Sequence, residues 1–280
     1  MHVKRGESER PNAAASEDFF FSDSLAEVSN TAIGLVVPQY GLVKKMVCEL
    51  LIGLGIQDRA VILDIGSGTG LVSLNILEQL KQSRVVSLEL LSKAQAVHRS
   101  ALSTRSRRDK SILQRAQLVL GDILTVSSGA DLRALSCGFA EDGYSAVVSS
   151  FVIHHFDHEE KQRVYQLAYD ALRPGGIFIN ADLFSYSDPI LNQFANRFDI
   201  KWVEEQLSRS QSRQLLTLTG SERSSLIDRW VRHYETANRL EPIEDHNRVG
   251  QKAMLEACGF MDAGVVYRLS LSGILCAMKP

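Results

Sequence analysis

The sequence predicts a doubly wound α/β fold: a mainly parallel sheet with helices on both faces and an antiparallel end. Three observations predict it. The stretch V-I-L-D-I-G-S-G-T-G, Val61 to Gly70, joins a short apolar run to a glycine bend and then to a helical pattern. Strand-like and helix-like stretches alternate from there to Asp182, as parallel strands joined by crossover helices require. Near the C-terminus, Met261–Leu269 and Gly273–Met278 are separated by a link so short that the two strands must form an antiparallel hairpin.

Composition sets the outer limits. The chain has 280 residues, 45% hydrophobic and 23% charged, enough for one large domain with appendages. A net charge of −2 gives no bulk attraction to nucleic acid. Cys48, Cys137, Cys258 and Cys276 are scattered without a C-x-x-C pair, which argues against zinc and against a disulfide framework and fits a reducing cytoplasm. No apolar run approaches the ~20 residues that cross a bilayer, and the N-terminus lacks the apolar region of a secretion signal. The expectation is a cytoplasmic protein with neither a nucleic-acid nor a membrane partner, and with no metal.

Residues 1–35 read as a charged tail followed by a helical arm containing Phe19, Phe20 and Phe21. The arm either packs on its own core, covers the active site, or is exchanged with a second subunit; the last makes a homo-oligomer the expectation. The core runs over 36–184. A helix with an apolar stripe from Leu42 to Leu54, with Pro38 near its start and Gly55 after its end, precedes the first strand. Leu71–Leu80 is the helix after the glycine bend and Arg84–Leu90 the second strand. Ser92–Arg105 is a helix ending in a solvated basic cluster, and Ala116–Leu120 the third strand. Tyr144–Val152 is the fourth strand. Asp157 and Glu160 then form a capping box for a helix over His158–Leu172. Arg173-Pro174-Gly175-Gly176 reads as a tight turn before a fifth strand, Ile177–Asp182.

An insertion over 185–240 follows, with aromatic stripes Phe194-Phe198-Trp202 and Trp230-Tyr234 on two amphipathic helices. It starts at the rim where α/β sheets bind ligands. The core closes over 241–280 with a helix from Glu244 to Cys258 and the hairpin.

The chemistry gathers at the strand ends. Gly66, Gly68 and Gly70 let backbone approach a ligand and aim N–H groups at it. A dinucleotide fingerprint, G-x-G-x-x-G, needs glycine where Leu71 stands, so the bend does not read as a nicotinamide site. Glu89 lies about 20 residues further on, placed for ribose hydroxyls or else a solvated strand-end charge. Asp122 either accepts from an adenine amino group or caps the next turn.

Taken together, D-I-G-S-G-T-G (Asp64–Gly70), Glu89, G-D-I (Gly121–Ile123), V-V-S-S-F-V-I-H-H-F (Val147–Phe156), L-R-P-G-G-I-F-I-N-A-D (Leu172–Asp182) and the terminal hairpin resemble the class I S-adenosylmethionine (SAM) methyltransferases of small molecules. The resemblance covers roughly residues 36–280 apart from the insertion. It implies a seven-stranded sheet with its last strand antiparallel, and SAM as cofactor. It places Gly66, Gly68 and Gly70 at the methionine part, which Tyr40 can reach, and Glu89 at the ribose, with Asp64, Ser67 and Leu90 also binding the cofactor. Asp122 and Ile123 flank the adenine, Gly121 also binds the cofactor, and Ser150 or Phe151 lines the pocket.

SAM chemistry needs alignment, and a weak nucleophile needs a base. His154 and His155, where strand four enters its loop, and Asp182, at the end of strand five, are the candidates; the alternative is that they pack and hydrogen-bond only. Asp157 and His158 are spent on the helix start and the two adjacent histidines should point apart, which leaves no metal site. Phe21, Phe184, Phe194, Phe198, Trp202, Trp230 and Tyr234 are the candidate substrate contacts and imply a bulky, largely apolar acceptor, methylated on O, N or C in natural-product biosynthesis. A SAM-binding enzyme of another type on this fold, a cyclase or a carboxy-SAM synthase, is the alternative.

Overall fold

The computed structural model describes residues 37–56, 59–209, 228, 240–245 and 249–280. The elements that build the sheet follow the predicted alternation. Helix α1 (Tyr40–Gly53) leads to β1 (Val61–Ile65), α2 (Leu71–Gln79), β2 (Arg84–Glu89), α3 (Ser92–Ser106), a short α4 (Ile112–Arg115) and β3 (Ala116–Leu120). Then come α5 (Gly129–Ala134), β4 (Tyr144–Ser150), α6 (His158–Ala171), β5 (Leu172–Leu183), α7 (Pro189–Arg209), α8 (Gln251–Ala257), β6 (Met261–Leu269) and β7 (Ser272–Met278).

The seven strands lie in the order β3-β2-β1-β4-β5-β7-β6. The first five are parallel, while β7 runs antiparallel to both β5 and β6. The order reverses between β1 and β4, so the glycine bend after β1 opens at the switch point, where such sheets bind ligands.

The central strands are apolar on both sides because helices cover both faces. Alternation along β1 divides the core. Leu63 and Ile65 join Val147, Phe178 and the α6 stripe Val164-Leu167-Ala168 on one face. Ile62 joins Val148, Ile179 and the α1 and α2 residues Val47, Leu51, Leu74 and Leu77 on the other. The capping box holds: Asp157 Oδ1 accepts from the Glu160 N–H at 2.9 Å, and Glu160 Oε2 accepts from the Asp157 N–H at 3.1 Å. At the predicted basic helix end, Arg105 pairs with Glu78 at the surface.

Four elements differ from expectation. Strand β4 stops at Ser150 because Phe151 turns out of it with φ 56, a left-handed value that a non-glycine residue rarely holds. Leu172–Gly176 is not a tight turn before β5 but its first part, irregular against β4 between Tyr144 and Ala146 and hydrogen-bonded through Gly175 and Gly176 to Lys279. The helix predicted from Glu244 begins only at Gln251; a Cβ on Gly250 would come within 2.7 Å of the Ile243 carbonyl, so the chain crosses itself tightly there first.

The fourth concerns the insertion. Helix α7 buries Ala195, Asp199 and Val203, while Ile190, Phe194 and Phe198 face outward. The stripe at that spacing is real, but the face carrying Ala195, Asp199 and Val203 is the buried one, with Ser270 Oγ donating to the Ala195 carbonyl at 3.1 Å. Tyr186, just before α7, is stacked on Arg268, whose guanidinium also donates to the carbonyls of Phe184 and Ser185. The two ends of the insertion meet in a bridge between Ser185 and Pro242. Phe21, Trp230 and Tyr234 lie outside the described residues.

Candidate active site

The bend after β1 is closed mostly by bonds within the fold. The N–H groups of Gly66 and Ser67 donate to the Leu88 carbonyl at 2.8 and 3.1 Å, and Gly70 donates to Ser67. Gly68 donates to Glu89 Oε2 at 2.6 Å. The expectation that the glycine N–H groups are free for a ligand is therefore corrected: the glycines serve the curvature and the close approach. Gly66, Gly68 and Gly70 all have positive φ, and nothing lies within 4 Å of where a Gly68 Cβ would stand.

Glu89 is buried at the end of β2 and also accepts from the Leu91 N–H at 2.8 Å. It is not a solvated strand end. Burial pushes its carboxyl up, and the backbone donors hold it down. Each oxygen keeps a lone pair for a further donor. Next to it, Leu90 is half exposed, and Gly121 is tied by its N–H to the Glu89 carbonyl at 2.9 Å. Asp122 does cap: its Oδ1 accepts from the Leu124 N–H at 2.9 Å, starting the turn Ile123–Thr125, in which Ile123 is buried.

At the other end of the bend, Asp64 is fully buried. Its Oδ2 accepts from Ser73 Oγ at 2.5 Å, and Ser73 is in turn 2.8 Å from Ser87 Oγ. Burial raises the Asp64 carboxyl to about 7, against the Ser73 hydrogen bond, with the nearby Glu89 adding to the rise. Tyr40, the first residue of α1, is buried with its ring 5.5 Å from Phe151 and its hydroxyl toward Ser150 and Asp64; its hydroxyl is pushed well above the usual phenol range by burial. Val152 packs where a Gly66 side chain would stand. Asp64 Oδ1 and Ser67 Oγ are buried and accept or donate nothing within the described protein. A cradle of open space above Gly68, rimmed by unmet polar atoms at one end and a ribose-competent carboxylate at the other, fits an amino-acid nucleoside.

Beyond Phe151 the chain makes a turn over Ile153–His155. His154 is buried, and Asp182, itself buried on β5, holds it twice: Oδ1 lies 2.5 Å from Nδ1, and Oδ2 accepts the His154 backbone N–H at 3.0 Å. Asp182 Oδ1 also accepts from the Leu183 N–H at 2.9 Å. The two histidines do not point apart as expected; their rings are tilted 39° at 4.0 Å between centroids, because the tight turn keeps both on one side. No group of three or more metal-ligating side chains occurs among the described residues. Phe184, expected to face substrate, is fully buried in the core, with Gly273 leaving room for its ring. Phe194 and Phe198 stack at 6.5 Å on the outer side of α7, and Trp202 is half buried.

Sequence reasoning missed His98. It sits fully buried on α3 against Gly70, with both ring nitrogens unpartnered, and burial lowers its pKa to about 4. No local signal marks it; the partner is a glycine 28 residues away.

This strand order with this bend defines the class I SAM-dependent methyltransferase fold. Residues 63–178 match the family model described as a methyltransferase domain. Residues 63–178 thus resemble a methyltransferase domain, on a fold shared with SAM-dependent methyltransferases. An O-methyltransferase family protein from Burkholderia thailandensis superposes with a TM-score of 0.59 at 15% identity, over 94% of this chain and 62% of that one. Phosphoethanolamine N-methyltransferase 2 of Haemonchus contortus, solved with phosphomonomethylethanolamine and S-adenosylhomocysteine, gives 0.53 at 12% identity over 94% and 60%. The chain therefore spans under two thirds of these structures. Among curated proteins, the carboxy-S-adenosyl-L-methionine synthase of Erwinia tasmaniensis is 23% identical over 94% of this chain and 92% of its own length. That of Yersinia enterocolitica is 24% identical over 94% and 85%. No helix among the described residues is long and apolar enough to cross a membrane.

Proposed function

We propose that the chain moves a methyl group from SAM to O, N or C of a bulky, largely apolar small molecule of natural-product biosynthesis. Bound SAM supplies an electrophilic methyl on a sulfonium, so the protein's share is alignment and proton handling. Glu89 holds the ribose hydroxyls, Asp122 and Ile123 the adenine, and Asp64, Ser67, Tyr40 and Ser150 the methionine end. His154 takes the acceptor's proton, fixed in orientation by Asp182, and His155 stands beside it.

The observation that carries the catalytic part is the double hold of Asp182 on His154. A carboxylate on Nδ1 fixes the ring and stabilises the imidazolium that forms when the other nitrogen gains a proton. The outward aromatics Phe194 and Phe198 on α7 support an apolar acceptor. In this reading the protein is cytoplasmic and assembles through residues 1–35. Incubation with methyl-labelled SAM and a metabolite extract tests it: label must appear in a new small molecule, and S-adenosylhomocysteine must bind by calorimetry.

A second reading, a carboxy-SAM synthase, is favoured by the near full-length match to the curated relatives. The same incubation separates the two by mass. A carboxylated SAM with no labelled acceptor supports the second and overturns the first.

A further inference from the structure

Gln39 and Phe151, neither of them glycine, hold a left-handed backbone on either side of one aromatic contact, at φ 58 and φ 56. The rings of Tyr40 and Phe151 lie 5.5 Å apart there, tilted by 43°. On the Gln39 side the chain turns over Val37–Tyr40, and the Tyr40 N–H donates to the Val37 carbonyl at 3.2 Å. Proline followed by a left-handed residue is the pattern of a type II turn, whose third position takes glycine or asparagine at least cost. Gln39 stands in that position after Pro38, with its side chain exposed and capping nothing. Its carbonyl accepts from the N–H groups of Leu42 and Val43 at 2.8 and 3.0 Å, so the same turn starts α1 and seats Tyr40. Further along, Asn75 on α2 donates to the Lys44 carbonyl at 3.2 Å. Tyr40 therefore sits ahead of the part of α1 that is tied to α2.

On the other side, the Phe151 N–H donates to the Ala181 carbonyl at 2.8 Å, and Val152 fills the space beside Gly66. The left-handed Phe151 thus brings its ring to Tyr40 while the next residue packs on the glycine bend. Backbone strain of this kind collects at ligand clamps and switches, where the surrounding structure enforces it. We propose that Tyr40 and Phe151 are the door of the cofactor cradle, hinged at the Val37–Tyr40 turn, and that the left-handed backbone of Gln39 sets how readily the door opens to admit and release the cofactor. The proposal rests on the reading of the cradle as a site for SAM. When Gln39 leaves its left-handed conformation the turn comes undone, the helix-starting bonds to its carbonyl are lost, and Tyr40 is free to leave Phe151. A few residues that absorb a change of φ and ψ are what a hinge consists of.

A door and a binding contact differ in kinetics. Losing a contact speeds release alone, whereas easing a door speeds entry and release together. Binding and release of S-adenosylhomocysteine by the full-length protein are followed by surface plasmon resonance. Gln39→Val puts a β-branched residue in the left-handed region and should speed both rates about threefold, while Gln39→Asn, which suits that region, should slow both by about as much. Residue 39 is exposed, so neither variant removes a packed side chain. Phe151→Leu takes away the ring contact and should also speed both rates. Rates unmoved in these variants, or a change in release alone, overturn the proposal. Wild-type protein that binds no S-adenosylhomocysteine overturns the cofactor reading instead, and the door falls with it.

Discussion

The imidazole of His98 occupies the space that a side chain on Gly70 would need: a Cβ there would stand 2.1 Å from His98 Cδ2. Gly70 is also left-handed, at φ 83. Gly70→Ala therefore meets two separate penalties, backbone strain and overpacking, together about 2–4 kcal/mol. Urea unfolding should show that loss. Adding His98→Ala should recover the overpacking share and leave the strain. Equal destabilisation of the single and double variants would show that the ring yields freely.

Glu89 joins the sheet to the bend. With Oε2 on the Gly68 N–H and Oε1 on the Leu91 N–H, Glu89→Gln turns one acceptor into a donor aimed at a donor. The bend should shift, and affinity for S-adenosylhomocysteine by calorimetry should fall about 10–100-fold, the cost of about 1.5–3 kcal/mol for a lost bond to a charged group. The Leu90 side chain is half exposed beside it, and Leu90→Ala, which keeps the backbone N–H, should cost less.

How far the sequence could be read follows from how local each feature is. The strand–bend–helix at Val61–Gly70, the Asp157–Glu160 cap and the terminal hairpin depend on neighbours a few residues apart, and all were legible. The face that α7 buries was not. Phe194 and Phe198 repeat at helical spacing, but so do Ala195, Asp199 and Val203, and the Ser270–Leu271 turn with which α7 makes contact takes the smaller set. His98 on Gly70 and Lys161 on Glu241 were equally hidden, being pairs that only the tertiary fold brings together. Leu172–Gly176 misled for a similar reason: Pro and Gly signal a turn, but Gly175 and Gly176 are paired by Lys279 at the chain's end.

Asp199 gives a pH dependence with a definite sign. It is fully buried on α7 with neither carboxylate oxygen hydrogen-bonded among the described residues, and burial raises its carboxyl from 3.8 to about 7, against the lowering influence of the nearby Ser270 and Leu271. The docked helix thus holds a proton that an exposed Asp199 has already lost. A raised carboxyl favours docking most below the exposed value, and that advantage declines as pH rises from about 4 to about 7. Hydrogen-exchange protection of residues 195–203, corrected for intrinsic rates, should fall over that window and level off above it. Asp199→Asn should flatten the profile; an unchanged profile would assign the dependence to another group, Asp64 being the nearest in magnitude.

The exposed aromatics of α7 allow packing and recognition to be told apart. Phe194 is 68% and Phe198 38% exposed, so neither is seated in the core as a lid-to-sheet contact would require. Truncating a buried phenylalanine costs about 3–5 kcal/mol, whereas a change at an exposed position stays within about 0.5 kcal/mol. Phe194→Ser/Phe198→Ser should therefore leave thermal stability and S-adenosylhomocysteine binding unchanged. If these rings meet the acceptor, KM for it should rise about tenfold or more, each ring contributing about 1 kcal/mol of apolar and stacking contact. If kcat falls with KM unmoved, the rings act on a step after binding. A large loss of stability would instead mean that they are covered by another part of the chain or by a second copy, and the apolar-acceptor reading would lose its support.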